Sequence, residues 1–212
     1  MKRLVLMFGI LAGVVSVGMG AMSDEEWDRA NYNCLKNGDK IACQALIYNG
    51  LKSVGQCDDE NTCGYVGEVY RFAGRYREAI PYFEKIIALG GSNRAYRSLA
   101  NAYHDLQDYY NAKKYYEIAC NKGDGIGCYN LGNMYYNGEG VRQDYYKAHE
   151  LYKKACDMKD ELACGSLALL YVNGLGVRQN LSTAKQYFGK ACDLGGQAGC
   201  EGYKILHNEG VR

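Results

Sequence analysis

Residues 119–128 read Ala-Cys-Asn-Lys-Gly-Asp-Gly-Ile-Gly-Cys, and the chain returns to that shape at 155–164 (Ala-Cys-Asp-Met-Lys-Asp-Glu-Leu-Ala-Cys) and at 191–200 (Ala-Cys-Asp-Leu-Gly-Gly-Gln-Ala-Gly-Cys). Each copy sets two cysteines eight residues apart, and successive copies begin 36 residues apart. A period of that length is the mark of a repeat array. The beat fails in one informative place: one unit before Cys120 and Cys128 stand Ala88 and Tyr96, so both cysteines are missing together. Independent thiols have no reason to vanish jointly. Two sulfurs bonded to each other do, because losing one leaves a reactive thiol in an oxidising compartment.

The N-terminus points to such a compartment. Lys2 and Arg3 precede an apolar run from Leu4 to Val17, followed by small residues up to Ala21 and then acidic residues. This reads as a signal peptide over residues 1–21, with export to the periplasm or beyond. The run is short for a membrane span, so no stable anchor is expected once it is cleaved. All 10 cysteines follow it, as five near-neighbour pairs: Cys34 with Cys43, Cys57 with Cys63, Cys120 with Cys128, Cys156 with Cys164, and Cys192 with Cys200. Thiolates also bind zinc, but the C-x2-C grip does not occur, and neither metal nor cofactor is expected. Net charge is +1 with both signs interspersed, which provides no electrostatic footprint for nucleic acid.

Between the cysteines, apolar residues keep register. Ala79, Ala112, Ala148 and Ala184 correspond; four residues on stand Phe83, Tyr116, Tyr152 and Phe188, and three further Ile86, Ala119, Ala155 and Ala191. Steps of four and three trace one helix face, defining a helix B. Before it, Val66 with Tyr70, Leu99 with Tyr103, Leu131 with Tyr135 and Leu167 with Tyr171 define a helix A, each with a small neighbour (Gly67, Ala100, Gly132, Ala168) suited to close helix approach. Turns in the last two units are four residues longer and carry Asn137-Gly138-Glu139-Gly140 and Asn173-Gly174-Leu175-Gly176. Asp108, Asp144 and Asn180 stand where helix B needs an N-cap. Pro81 falls inside a helix B, where a slight bend is expected. Such hairpins cannot bury their own apolar stripes, so they stack as an all-α solenoid, each disulfide joining the end of one helix B to the start of the next helix A.

The A-x3-[FY] helix B, the G-x-G turn and the A-C-x7-C signature resemble Sel1-like repeats, relatives of the tetratricopeptide repeat, and in an exported chain resemble the Helicobacter cysteine-rich protein family. The resemblance covers residue 22 onward, with 22–62 as a degenerate first repeat, 63–198 as helix hairpins and 199–212 as a lone capping helix. Members are often named β-lactamases or penicillin-binding proteins, which implies β-lactam binding or weak hydrolysis as an alternative function. Ser182 and Lys185 do match S-x-x-K, yet neither S-D-N nor K-T-G occurs, and Ala184 between them is the packing alanine of a helix B. Of the three histidines, His149 is expected to be solvated, His207 to replace a core tyrosine, and His104 to face the groove.

A solenoid of this kind exposes the inner faces of its A helices. In the tetratricopeptide pattern the groove positions carry over to Glu68, Arg71, Arg97, Asn101, His104, Asp105, Tyr129, Asn133, Tyr136 and Asn137, and in the next unit to the more apolar Gly165, Leu169, Val172 and Asn173. Asparagine can pair with a peptide backbone and tyrosine adds contact area. The expected function is therefore capture of a protein or peptide ligand by a monomeric chain. Alanine at both Asn101 and Asn133 is expected to abolish capture and leave stability intact.

Overall fold

A computed structural model of the chain describes residues 23–49 and 57–211; the expected signal peptide lies outside them. Eleven α-helices and no strand occur among the described residues: α1 (Asp24–Asn37), α2 (Lys40–Asn49), α3 (Glu60–Phe72), α4 (Tyr76–Ala88), α5 (Asn93–Asp105), α6 (Tyr109–Asn121), α7 (Gly125–Asn137), α8 (Tyr145–Asp157), α9 (Glu161–Asn173), α10 (Leu181–Asp193) and α11 (Gln197–Asn208). The odd-numbered helices α3 to α9 are the A helices and the even-numbered α4 to α10 the B helices. Each packs chiefly on its sequence neighbours, as a linear stack requires.

The repeat register is the core. The four register alanines and Phe83, Tyr116, Tyr152 and Phe188 are all buried, with Val66, Leu99, Leu131 and Leu167 facing them from the A helices. One apolar cluster runs from Cys120 on α6 to Ala191 on α10, so each hairpin completes its neighbour's core. Burying a side chain such as Phe83 or Leu99 contributes about 1.5–3 kcal/mol. The small residues have a steric purpose: a Cβ at Gly67 would come within 2.6 Å of the Phe83 ring, and one at Gly132 within 2.6 Å of Tyr152.

Helix ends follow the expected chemistry. The side chains of Asp108, Asp144 and Asn180 accept the backbone N–H of Asn111, Lys147 and Thr183. Asp124 and Asp160 cap the A helices α7 and α9 in the same way, and burial raises the Asp160 carboxyl above its ordinary range against the opposing Ala163 N–H. Pro81 lies inside α4, which continues through it from Tyr76 to Ala88. In the longer turns Gly138, Gly140, Gly174 and Gly176 all adopt positive φ. Gly140 and Gly176 also seat each turn on the preceding unit, because a Cβ there would meet Tyr109 at 2.2 Å and the Tyr145 backbone at 2.4 Å.

All five expected disulfides form, with Cα separations of 4.5–5.0 Å. Cys120–Cys128, Cys156–Cys164 and Cys192–Cys200 join helix B to the next helix A, as expected. The first two depart from that rule. Cys34–Cys43 staples α1 to α2 across a single connection, and Cys57–Cys63 ties the segment entering α3 to its first turn.

One feature was invisible in the apolar register. Tyr70 stacks on Tyr82, Tyr103 on Tyr115 and Tyr171 on Tyr187, with ring centroids 5.5, 5.6 and 5.7 Å apart. The first two pairs span a tight hairpin and the third a long one, so the four added turn residues leave the A-to-B contact unchanged.

Candidate binding groove

The inner faces of α3, α5 and α7 line two adjoining depressions. The first, about 510 Å³, is bounded by Leu35 and Lys36 of α1, by Glu60, Gly64, Glu68 and Arg71 of α3, and by Arg94, Arg97 and Asn101 of α5. The second, about 360 Å³, shares Arg71 and Asn101 and adds His104, Asp105, Asn133, Asn137 and Glu139. Eight of the ten residues expected in a groove are thus brought together. Tyr129 and Tyr136 line neither depression: Tyr129 packs its ring on Tyr152 at 5.7 Å and Tyr136 meets Tyr145 edge-on at 5.3 Å.

The groove charges are paired across repeats. Arg71 bonds Glu68 at 2.9 Å within α3 and Asp105 at 3.0 Å on α5. Ser98 donates to Glu68 at 2.8 Å. Arg97 bonds both oxygens of the Asp124 cap at 3.0 Å, so it anchors the start of α7 rather than offering a free cation. His104 Nε2 lies 2.8 Å from Glu139, which also accepts from Asn137 at 2.9 Å. Glu139 belongs to the turn after α7 and was not anticipated; its counterpart in the next unit is Leu175.

Asn101 and Asn133 need a correction. Their side-chain oxygens accept from the buried Tyr116 and Tyr152 hydroxyls at 2.6 and 2.7 Å, and Asn101 accepts also from Asn130 at 3.2 Å. Burial pushes both tyrosine hydroxyls well above their ordinary titration range. The signal was present in the repeats. Where helix B carries Tyr116 or Tyr152, the helix A position is Asn; where it carries Phe83 or Phe188, that position is Glu68 or Leu169. The asparagines satisfy a buried hydroxyl, so alanine at both cannot leave stability intact.

In the α9 unit the same helix face presents Gly165, Leu169, Val172 and Asn173. Leu169 is 51% exposed, and Ile205, which holds the equivalent position on α11, is 57% exposed. At these register positions α9 is more apolar than α5 and α7, while Leu35, Phe72 and Ile86 bring apolar surface to the first depression as well.

Ser182 and Lys185 are not joined. Lys185 Nζ donates to the Val211 carbonyl at 2.5 Å and lies over the Tyr203 ring. His149 is not solvated: it is half-buried, bonds the Tyr171 hydroxyl at 3.1 Å and meets that ring edge-on, and burial lowers its pKa. His207 does not replace a core tyrosine. It is exposed and stacks on Tyr203, because among the described residues no helix B follows α11 to cover that face; Leu206 is buried instead. Among the described residues no cluster of His, Cys, Asp and Glu could hold a metal, and no helix is long and apolar enough to cross a membrane.

Comparison with known proteins agrees with this geometry. The Sel1 repeat profile matches residues 95–124, 125–160 and 162–196. The cysteine-rich protein B (HcpB) of Helicobacter pylori is 32% identical, with 60% of this chain and 93% of that one covered at a TM-score of 0.49. HcpC of H. pylori strain J99, which carries a provisional beta-lactamase name, is 54% identical over 35 residues, only 16% of this chain and 12% of HcpC. The protective antigen c5321 of uropathogenic Escherichia coli, which displays an SLR fold, aligns over 84% of this chain at a TM-score of 0.58 and 22% identity; this chain spans 44% of its length. Three consecutive Sel1 matches, stapled at their joints by the A-C-x7-C disulfides, show that the chain belongs to the cysteine-rich Sel1-like repeat proteins.

Proposed function

We propose that this protein is exported and captures a protein or peptide partner in the groove formed by its A helices. The observation that carries the reading is the pair of adjoining depressions, lined by side chains of three successive A helices and lying over the packed repeat core, with Cys120–Cys128 closing the joint between α6 and α7. A rigid groove with hydrogen-bonding groups already placed binds with little loss of conformational freedom. Pairing across repeats holds its charged side chains in fixed positions, so they meet a partner already oriented. Five disulfides fit life outside the reducing cytosol.

The test is selection of peptides from a random phage-displayed library on the immobilised, oxidised protein. Alanine at both Asp105 and Asn137, rim residues bonded to Arg71 and Glu139, is expected to weaken the selected peptides by about tenfold. Alanine at Tyr110, 80% exposed on α6, is expected to change nothing. Equal affinity for wild type and the Asp105/Asn137 variant would remove the groove as the binding site.

A further inference from the structure

Gly165 stands apart from the other described glycines. It lies inside α9, its backbone is helical rather than left-handed, and a Cβ built on it would meet nothing within 4 Å. The other glycines with equally open surroundings, Gly90, Gly123, Gly195 and Gly210, all have positive φ. The helical Gly67, Gly132, Gly199 and Gly202 each sit where a Cβ would press into a neighbour at 2.9 Å or closer. Glycine in a helix interior is disfavoured relative to alanine, and neither backbone nor packing within the chain requires it at 165. In repeat register Gly165 is the groove position that carries Arg97 on α5 and Tyr129 on α7, and the same position on α3 is Gly64, where a Cβ would make only an ordinary contact at 3.8 Å with Ile86.

On the same face of α9 stand the exposed Leu169 and the half-buried Val172, and the register position of Leu169 on the following helix α11 is the exposed Ile205. The charge pattern orients what could fill the notch at Gly165. At the α1–α3–α5 end, Lys36 and Arg94 are exposed on the rim of the first depression and form no ion pair among the described residues. In the middle, Arg71 with Asp105 and His104 with Glu139 are already matched. At the α9–α11 end, the charge in register with Gly165 one repeat on is the acidic Glu201.

We infer that the groove takes an extended segment of a partner protein, with acidic residues lying toward Lys36 and Arg94 and a bulky apolar side chain seated in the Gly165 notch against Leu169 and Ile205. Charge complementarity favours this direction, since an acidic end placed at α9–α11 would face Glu201 and leave Lys36 and Arg94 unmatched, although Glu60 shares their depression and Lys204 stands near Glu201. This rests on the groove reading above and names the chemistry of the occupant.

The probe is a fluorescein-labelled extended peptide with aspartate and glutamate in one half and leucine and phenylalanine in the other, titrated by anisotropy against the oxidised full chain. Control peptides replace the acids by lysine or the apolar residues by serine. Gly165→Leu fills open space on a helix, so it is expected to melt no lower than wild type while binding the probe about tenfold more weakly, the loss of one apolar anchor. Lys36→Glu with Arg94→Glu is expected to lose the acidic probe and accept the lysine control. Should the probe remain sensitive to the Asp105/Asn137 variant but bind Gly165→Leu as tightly as wild type, the notch falls and the groove stands; insensitivity to both removes both. Sedimentation showing that Gly165→Leu breaks a self-associated form, with no probe bound by wild type, would overturn the inference in favour of a second copy as occupant.

Discussion

Two joints in this solenoid are built by different means. Between α8 and α9 the chain relies on Cys156–Cys164, a buried bridge, and on the apolar cluster around it. Between α4 and α5 the cysteine positions are Ala88 and Tyr96, and polar bonds from α3 to α5 span the joint instead: Glu60 accepts from the Ser92 N–H and hydroxyl, Glu68 from Ser98, and Arg71 pairs with Asp105. Such bonds exist only in the folded chain and are partly screened by water and salt. A disulfide acts largely by restricting the unfolded chain and is indifferent to salt. The joint between α6 and α7 combines both, with Cys120–Cys128 beside Arg97–Asp124.

The strongest way to break that contrast is to remove sulfur from one joint. Serine at both Cys156 and Cys164 opens a nine-residue loop and is expected to cost roughly 2–3 kcal/mol in the chain-entropy model, a fall of about 4–12 °C in melting temperature. Raising salt should move that variant little further, and hydrogen exchange should show α9 to α11 losing protection first. A salt-dependent loss as large as the substitution itself would mean that polar bonds carry this joint too.

A smaller effect sharpens the comparison within the groove. Asn133→Ala strands the buried Tyr152 hydroxyl and is expected to destabilise by about 1–3 kcal/mol, read from denaturant midpoints. Combining Asn133→Leu with Tyr152→Phe imports the pairing that Leu169 and Phe188 use one unit on, and is expected to recover most of that loss. No recovery would show that Asn133 serves something other than the tyrosine.

The smallest effect is titration of His149. Its folded pKa lies below the unfolded value of about 6.5 because burial against Tyr171 disfavours the charged ring. The unfolded chain therefore binds the proton more readily, so this contribution is complete above the unfolded pKa and is lost as pH falls below it. Melting temperature should decline modestly from pH 7.5 to pH 5.5, and His149→Gln should flatten that decline. An identical slope in the variant would assign the pH dependence to other groups.

How much of this was legible depends on how local the signal was. The hairpin register, the N-caps and the five disulfides could be read because each lies within one or two helical turns, or repeats identically from unit to unit. Asn101, Asn133 and Arg97 line the depressions as their register implies, but register does not show the bonds they make within the chain. Their partners Tyr116, Tyr152 and Asp124 lie on other helices, and only the covariation of Asn with Tyr across units hinted at the link. Periodicity on its own helix predicts a solvated His149, because it cannot show that Tyr171 of the next hairpin covers the ring. His207 erred the other way, for its register predicts burial but no described helix B follows to provide it.

By itself the amino-acid order determined the period, the helix pairs, their caps and which sulfurs meet, since all of these follow from spacing along the chain and short-range sterics. Tertiary structure alone decided which groove side chains are already engaged, that the α9 face stays open at Gly165, and which face of α11 is exposed among the described residues. Those outcomes depend on what a neighbouring repeat brings within bonding distance, and the repeats differ at just the positions where they meet.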